Sequence, residues 1–248
     1  MARANRVFIP GMVWHLTHRC HKQEFLLKFQ RDRERWRYWL FQAVRRFDFC
    51  VLNYIVTSNH VHLLVVDDGN GAIAKSMQLI AGRTAQEFNL RKQRKGAYWE
   101  DRYHATAIET NEHLQRCLTY IDLNMVRAGV VGHPSEWSIS GFNEIQSPRQ
   151  RYRIIAADKL TELCGFAHPD QLRVAHLQWV ESQLRAGSLA RQPEWSAAIA
   201  VGSERFVGDV QEKLGINFRY RNISGDGNNT VLREDASEYD ALQSVRIS

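Results

Sequence analysis

Two short apolar runs in the first half of the chain limit the possible folds more than any other feature. CVLNYIV at residues 50–56 and HVHLLVV at residues 60–66 are rich in β-branched residues and are separated only by the tripeptide TSN. Runs of this length on either side of a short polar turn are typical of a β-hairpin made of two buried strands. The chain is therefore expected to build a sheet around residues 50–66.

The segments on either side of the hairpin alternate between strand and helix patterns. Residues 11–20, rich in Val, Trp and Thr, predict a first strand, and HATAIE at residues 104–109 predicts a fourth. Apolar residues at helical spacing predict helices over residues 30–47, 73–88 and 111–127. Strand, helix, hairpin, helix, strand, helix is the order of an α+β sandwich, and we predict a ferredoxin-like antiparallel sheet covered by helices.

The charge is unevenly distributed along the chain. Residues 1–150 contain 21 Lys and Arg against 14 Asp and Glu, whereas residues 151–248 contain 12 against 13, so the net charge of +6 is the sum of +7 and −1. A basic part of this kind attracts polyanions, above all nucleic acid. We predict an α+β domain over residues 1–146, a mainly helical C-terminal extension over residues 147–222, and a polar, mobile tail over residues 223–248.

Composition also argues against several other classes of protein. The hydrophobic content of 44% is ample for a core without disulfides, and the four cysteines form no CxxC pair, which favours a reduced, cytosolic protein. The sequence has no apolar stretch of roughly 20 residues, so a membrane role is not expected. The N-terminus also lacks the apolar run of a secretory signal.

The second strand of the hairpin carries two histidines one residue apart. Because side chains at i and i+2 lie on the same face of a strand, His60 and His62 point in the same direction, with Cα atoms roughly 6.6 Å apart. Two imidazoles at this distance can share one metal ion, but a bare HxH pattern is also compatible with two ordinary strand residues. The choice depends on whether another element brings a third ligand and a reactive group to this face.

The helix predicted over residues 111–127 offers such groups. Tyr120 and Asn124 are four residues apart, about 6 Å along the helix axis and on one face. A phenol and an amide in this arrangement could supply the reactive group and the third ligand. The alternative is a core tyrosine with its hydroxyl at the rim of the core, next to an ordinary surface amide.

Several motifs together resemble a known family. TSNHVHLLVV resembles the HUH motif, and YIDLNMVRAGVV resembles the tyrosine helix, of the single-tyrosine HUH transposases of insertion sequences, with most similarity to the branch associated with repetitive extragenic palindromes. PGMVWHLTHRC, GAYWEDRYHATAI and HPSEWSISG also match, so the resemblance covers about residues 6–142. The sequence departs from the family pattern at Thr57-Ser58, where Met-Pro is usual, and at Met125, where Pro is usual.

The resemblance implies an enzyme, a DNA transposase that cleaves and rejoins single-stranded DNA at or near palindromic hairpins. By the same resemblance, Tyr120 is the nucleophile that forms a 5'-phosphotyrosine link. A divalent metal, Mg2+ or Mn2+, would be held by His60, His62 and Asn124, and two imidazoles with an amide oxygen suit such an ion. Two alternatives stay open: a non-catalytic nucleic-acid-binding protein on the same fold, and a replication or conjugation nickase of the HUH type.

Single-stranded DNA with hairpin elements is the expected partner, in the bacterial cytoplasm and at the nucleoid while the protein acts. A monomer with Tyr120 near its own histidines is favoured over a dimer. Arg127 could contact the scissile phosphate or cap carbonyl groups at the end of its helix. The residues predicted to bind DNA are all basic: Arg83, Arg91, Lys92, Arg94, Lys95, Arg102 and Arg127.

The first predicted strand contains a second group of potential metal ligands. His15, His18, Cys20 and His21 are close together in sequence, as in some zinc sites. Alternation along the strand sends His15 and His21 to one side and His18 and Cys20 to the other, so the four cannot converge without a bend. A zinc site at this position is not expected.

Overall fold

The predicted hairpin lies at one edge of a seven-stranded sheet. The computed structural model describes residues 8–187, 189–215, 221–226 and 229–234. The strands are β1 (Val13–Arg19), β2 (Val51–Val56), β3 (His60–Val66), β4 (His104–Ile108), β5 (Ala200–Gly202), β6 (Arg221–Asp226) and β7 (Asn229–Glu234). Their order across the sheet is β2-β3-β1-β4-β5-β7-β6.

Helices connect and cover these strands. They are α1 (Gln30–Phe47), α2 (Ala72–Lys92), α3 (Glu112–Asp122), α4 (Asn124–Arg127), α5 (Phe142–Gln146), α6 (Ala157–Leu163), α7 (Pro169–Ala186), α8 (Glu194–Ala197) and α9 (Glu204–Leu214). In the described part of the chain, none of them is both long and apolar enough to cross a lipid bilayer.

The first four strands form the predicted ferredoxin-like core. β1 lies in the centre and pairs antiparallel with β3 on one side and with β4 on the other, while β2 pairs antiparallel with β3. α1 connects β1 to the hairpin, and α2 connects the hairpin to β4. The sheet order and the chain order together are those of a ferredoxin-like unit, so the α+β prediction is confirmed.

The two faces of β1 are covered by different helices. His18 lies on the face next to α2, in a cavity that Met77 and Ala81 of that helix also line. His15 lies on the other face, with its ring 6.4 Å from the ring of Tyr120 in α3. Because alternation separates these two histidines, the candidate zinc ligands of the first strand do not converge.

The C-terminal extension contains more strand than the sequence predicted. The predicted helical character is present in α6, α7 and α9, but β5 adds to the core sheet in parallel with β4, and β7 pairs with β5. β6 and β7 form a hairpin that begins two residues before the segment predicted as a mobile tail and extends into it. The rest of that tail, residues 227–228 and 235–248, lies outside the described residues, and the predicted domain boundaries stay a prediction.

The helix predicted over residues 111–127 is interrupted once. α3 ends at Asp122, Leu123 has a ψ of 4°, and α4 resumes at the next residue. The peptide N–H of Leu123 still donates to Thr119 O and that of Arg127 to Leu123 O, so the chain keeps its direction through the break. The helix ends at Arg127, as predicted, and Gly129 follows with a φ of +66°.

Candidate active site

The predicted site residues meet in one pocket beside the central strands. β1 and β3 form its floor, α3 and α4 form one wall, and the extension forms another. The residues that line it are Thr17, Arg19, Gln23, Asn59, His60, His62, Tyr120, Asn124, Arg127, Ala128, Leu189, Arg191 and Ser196. The pocket therefore contains all four residues that the sequence predicted as nucleophile and metal ligands.

The turn of the hairpin orients the ring of His60. Nδ1 of His60 lies 2.8 Å from Asn59 Oδ1 and 3.0 Å from Thr57 Oγ1. The Thr57 hydroxyl also donates to the carbonyl of His60 at 2.8 Å and accepts from its peptide N–H at 3.1 Å. Thr57 stands where the family usually has Met, so this departure adds an oxygen that contacts the histidine. Because Nδ1 is occupied by these contacts, Nε2 is the nitrogen of His60 that can bind a ligand.

The ring of His62 is also held through its Nδ1, which contacts His15 rather than the hairpin turn. Its Nδ1 lies 2.9 Å from Nε2 of His15, and its Nε2 lies 3.1 Å from the amide nitrogen of Asn124. The rings of His60 and His62 are 4.9 Å apart. Among the described residues, no group of three His, Cys, Asp or Glu side chains is placed to hold a metal ion. A metal centre here would therefore need the amide oxygen of Asn124 as its third protein ligand.

The three imidazoles of the site are neutral at physiological pH. Burial, together with the positive charges of Arg19 and Arg191, lowers the pKa of His60 to about 4. Burial also lowers the pKa of His15 to about 4 and holds the pKa of His62 well below its ordinary value. Neutral rings keep a lone pair, which is the form of histidine that binds metal ions.

Tyr120 lies against both the histidines and a guanidinium group. Its ring centre is 6.0 Å from that of His62, and only 7% of the residue is exposed. The guanidinium of Arg127 lies 4.1 Å from the centre of the phenol ring. Burial raises the pKa of Tyr120, and the charge of Arg127 opposes this shift. The phenol is thus partly withdrawn from solvent beside a cation that favours its ionised form.

Arg127 is the one predicted DNA-binding residue that lines this pocket. Its Nη2 donates to the main-chain carbonyl of Tyr120 at 2.6 Å. The sequence had left open whether Arg127 contacts the scissile phosphate or caps carbonyl groups of its helix. The contact with Tyr120 is the second of these roles. The contact also fixes the guanidinium next to the tyrosine ring.

The other six predicted DNA-binding residues lie away from the pocket, in α2 or in the segment between α2 and β4. Two of them neutralise carboxylates: Arg91 forms an ion pair with the buried Asp32, and Arg94 contacts Glu24 at 3.3 Å. The full set outside the pocket is Arg83, Arg91, Lys92, Arg94, Lys95 and Arg102. Their part in DNA binding stays a prediction.

Three residues of the pocket region were not predicted from the sequence. Arg19, at the end of β1, and Arg191, in the extension, add positive charge beside His60. His15 contacts His62 from the neighbouring strand. Arg19 and His15 lie within a matched motif, PGMVWHLTHRC, but Arg191 does not. No spacing rule connects Arg191 to the β2–β3 hairpin, which lies more than a hundred residues earlier in the chain.

Comparison with known proteins agrees with the motif resemblance. The family model of the IS200-like transposases matches residues 9–124. No curated protein matches the chain. A solved structure described as a REP-associated tyrosine transposase bound to a REP hairpin is 21% identical, covers 68% of this chain and 98% of its own, and has a TM-score of 0.49. A transposase candidate from Deinococcus radiodurans R1 is 12% identical over 52% of this chain and 98% of its own, with a TM-score of 0.35.

Proposed function

We propose that the protein cleaves and rejoins single-stranded DNA through a covalent link to Tyr120, and the match of residues 9–124 to the family model of the IS200-like transposases supports this proposal. One observation carries the proposal: the phenol ring lies 6.0 Å from the ring of His62, in the same pocket as His60 and Asn124. A nucleophile beside two neutral imidazoles that could hold a metal ion is compatible with phosphoryl transfer to a tyrosine.

The side chains present support the following reaction. The oxygen of Tyr120 attacks the scissile phosphorus, the bond from phosphorus to the 3'-oxygen breaks, and a 5'-phosphotyrosine and a 3'-hydroxyl result. The phenol proton is released to water, and a proton from water completes the 3'-hydroxyl. Arg127 places positive charge 4.1 Å from the phenol ring, where it favours the phenolate. Attack by another 3'-hydroxyl on the phosphotyrosine reverses the step and rejoins the strands without a nucleotide cofactor.

The donor set of the pocket fits a divalent metal ion. His60 and His62 each have Nδ1 engaged, so Nε2 is the nitrogen of each ring that would bind the ion, and the amide of Asn124 lies at Nε2 of His62. Two imidazoles and one amide oxygen leave positions for phosphate and water, which suits Mg2+ or Mn2+ better than a closed structural zinc site. When bound, such an ion polarises the phosphoryl oxygens and stabilises the charge that develops on them.

The proposed substrate is single-stranded DNA next to a palindromic hairpin, as the motif resemblance implies. Arg19, Arg127 and Arg191 make the pocket cationic, which supports binding of a phosphodiester. The basic residues around the end of α2 would contact phosphates of the folded part, and such contacts fix position with little sequence selectivity. The hairpin preference rests on the family motifs of residues 6–142.

The test is a search for the covalent intermediate. Full-length protein is incubated with a single-stranded hairpin DNA labelled at its 3' end and with Mn2+, and the products are separated under denaturing conditions. We expect a labelled adduct that migrates with the protein and that EDTA prevents. Binding of the same DNA without an adduct, across a panel of hairpins with different flanking sequences, would instead identify a non-catalytic nucleic-acid-binding protein.

The tyrosine is expected to act on DNA held by the histidines of its own chain, because His62 and Tyr120 meet within one chain. A mixture of Tyr120→Phe protein with His60→Ala/His62→Ala protein should then form no more adduct than either variant alone. A dimer that exchanged tyrosine helices would instead recover adduct in the mixture. Recovery above the sum of the two separate variants would contradict the assignment of a monomer that acts in cis.

A further inference from the structure

The metal site proposed above has a buried partner that links it to the C-terminal extension. We propose that His15 is a positioning residue that transmits a hydrogen bond from the main-chain carbonyl of Trp195 to His62, and so holds His62 with Nε2 free for the metal ion. The inference rests on the proposed function for its purpose, but its hydrogen bonds can be measured without DNA.

The main-chain carbonyl of Trp195 fixes the tautomer of His15. Its Nδ1 lies 2.7 Å from the carbonyl oxygen of Trp195. A carbonyl oxygen can only accept, so Nδ1 of His15 carries the hydrogen and donates it. In a neutral imidazole the other nitrogen then has a lone pair, and Nε2 of His15 is an acceptor.

His15 in turn fixes the tautomer of His62. Nε2 of His15 lies 2.9 Å from Nδ1 of His62, so Nδ1 of His62 must donate. The remaining nitrogen, Nε2, is left with a lone pair, and it is the nitrogen that faces Asn124. The hydroxyl of Thr17 is 3.4 Å from Nδ1 of His62, a longer and weaker contact. His15 is therefore the group that determines which nitrogen of His62 is available.

Burial makes this chain of bonds rigid. His15 is 0% exposed and His62 is 2% exposed. In such surroundings hydrogen bonds are stronger than in water, and an imidazole that loses its partner has no solvent to replace it. Outer partners of this kind orient metal-binding histidines and fix their tautomer.

The carbonyl that begins the chain of bonds belongs to the extension and is itself held in place. The side chain of Trp195 is buried at 0% exposure, and its indole N–H donates to Gln192 at 2.6 Å. The Thr106 hydroxyl of β4 lies 3.2 Å from Trp195 O and 2.7 Å from Ala198 O. The carbonyl of Trp195 in α8 is thus hydrogen-bonded to β1 through His15 and to β4 through Thr106. This arrangement gives the extension a defined part in preparing the metal site.

The tautomer can be measured directly in the unmodified protein. Long-range 1H–15N correlation spectra of metal-free, 15N-labelled full-length protein distinguish a protonated ring nitrogen from an unprotonated one. We expect His62 to be protonated at Nδ1 only, and His15 to be protonated at Nδ1 only. A His62 ring protonated at Nε2, or a mixture of both tautomers, would overturn the proposal without any variant being made.

Variants test whether the bond matters for metal binding. His15→Phe places another aromatic ring at this position and removes both hydrogen bonds, and we expect it to weaken Mn2+ binding by about 10- to 100-fold, measured by calorimetry. His15→Gln restores an acceptor towards His62 and should recover most of the affinity. His18→Gln is the matched control, because it alters the same strand on its other face, and it should leave the affinity unchanged. Equal affinities for wild type and His15→Phe would refute the proposal.

These outcomes are distinguishable from failure of the proposed function. If His62 has the expected tautomer and the His15 variants change Mn2+ affinity, but the wild type forms no adduct with DNA, then strand cleavage is wrong and the positioning role stands. If adduct forms and the tautomer is not the expected one, cleavage stands and the role of His15 is wrong.

Discussion

Replacing Tyr120 with phenylalanine is expected to reduce the rate of covalent adduct formation by at least about 1,000-fold, because the substitution removes the oxygen that forms the bond to phosphorus. The ring itself remains, with its contacts to His62 and to Arg127. DNA affinity and the free energy of unfolding should therefore change little. The variant therefore distinguishes loss of the cleavage reaction from disruption of the structure of the site.

The measurement is the labelled adduct assay with Mn2+, combined with a filter-binding measurement of DNA affinity on the same preparations. Tyr38→Phe is the control, since it removes the same atom from an exposed position on α1, where 43% of the residue is accessible. The control should form adduct at the wild-type rate. An adduct that persists in Tyr120→Phe would show that a different side chain attacks, and would remove the basis of the proposed mechanism.

The core of the fold could be predicted from the sequence because its patterns are local. α1 was predicted over residues 30–47 and occupies the same residues, since apolar side chains at helical spacing determine where it begins and ends. β5 could not be predicted in this way. It is only three residues long, and it is a strand because Ala200 and Val201 pair with β4, almost a hundred residues earlier. Short strands of this kind depend on tertiary partners rather than on propensity.

Part of the candidate site could likewise be predicted from local patterns, and part could not. Strand alternation placed His60 and His62 together, and helical spacing placed Tyr120 and Asn124 on one face, so family motifs were enough to connect them. The role of His15 could not be predicted, because its partner Trp195 is 180 residues away in sequence. Local rules could say only that His15 and His18 face opposite sides of a strand. A hydrogen bond to a distant main-chain carbonyl leaves no pattern in the sequence.

Asp122 illustrates how the structure gives a residue a role that the sequence did not suggest. It lies two residues after Tyr120 and therefore on another side of the helix. The structure buries it at 1% exposure, where Oδ1 accepts from the Asn53 amide at 2.9 Å and Oδ2 lies 2.7 Å from Nε2 of His176. The amide of Gln146 donates to the other nitrogen of that ring at 2.9 Å. This network joins the tyrosine helix, β2, α5 and α7.

Replacing His176 with alanine is therefore expected to lower the free energy of unfolding by about 3–5 kcal/mol, because it leaves the buried carboxylate of Asp122 without one of its two partners. Chemical denaturation followed by circular dichroism measures the loss. Arg173→Ala is the matched control on the same helix: its ion pair with Asp170 spans 3.0 Å but is 37% and 83% exposed, so a change of about 0–1 kcal/mol is expected.

A double-variant cycle identifies the source of the effect. If the buried contact is responsible, Asp122→Ala/His176→Ala should cost clearly less than the sum of the two single variants, because the double variant leaves no unpaired charge. Additive losses would mean that each side chain contributes only its own packing. A His176→Ala protein as stable as Arg173→Ala would show that the contact between Asp122 and His176 does not hold α7 to the tyrosine helix. The two helices would then be joined mainly by their apolar contacts.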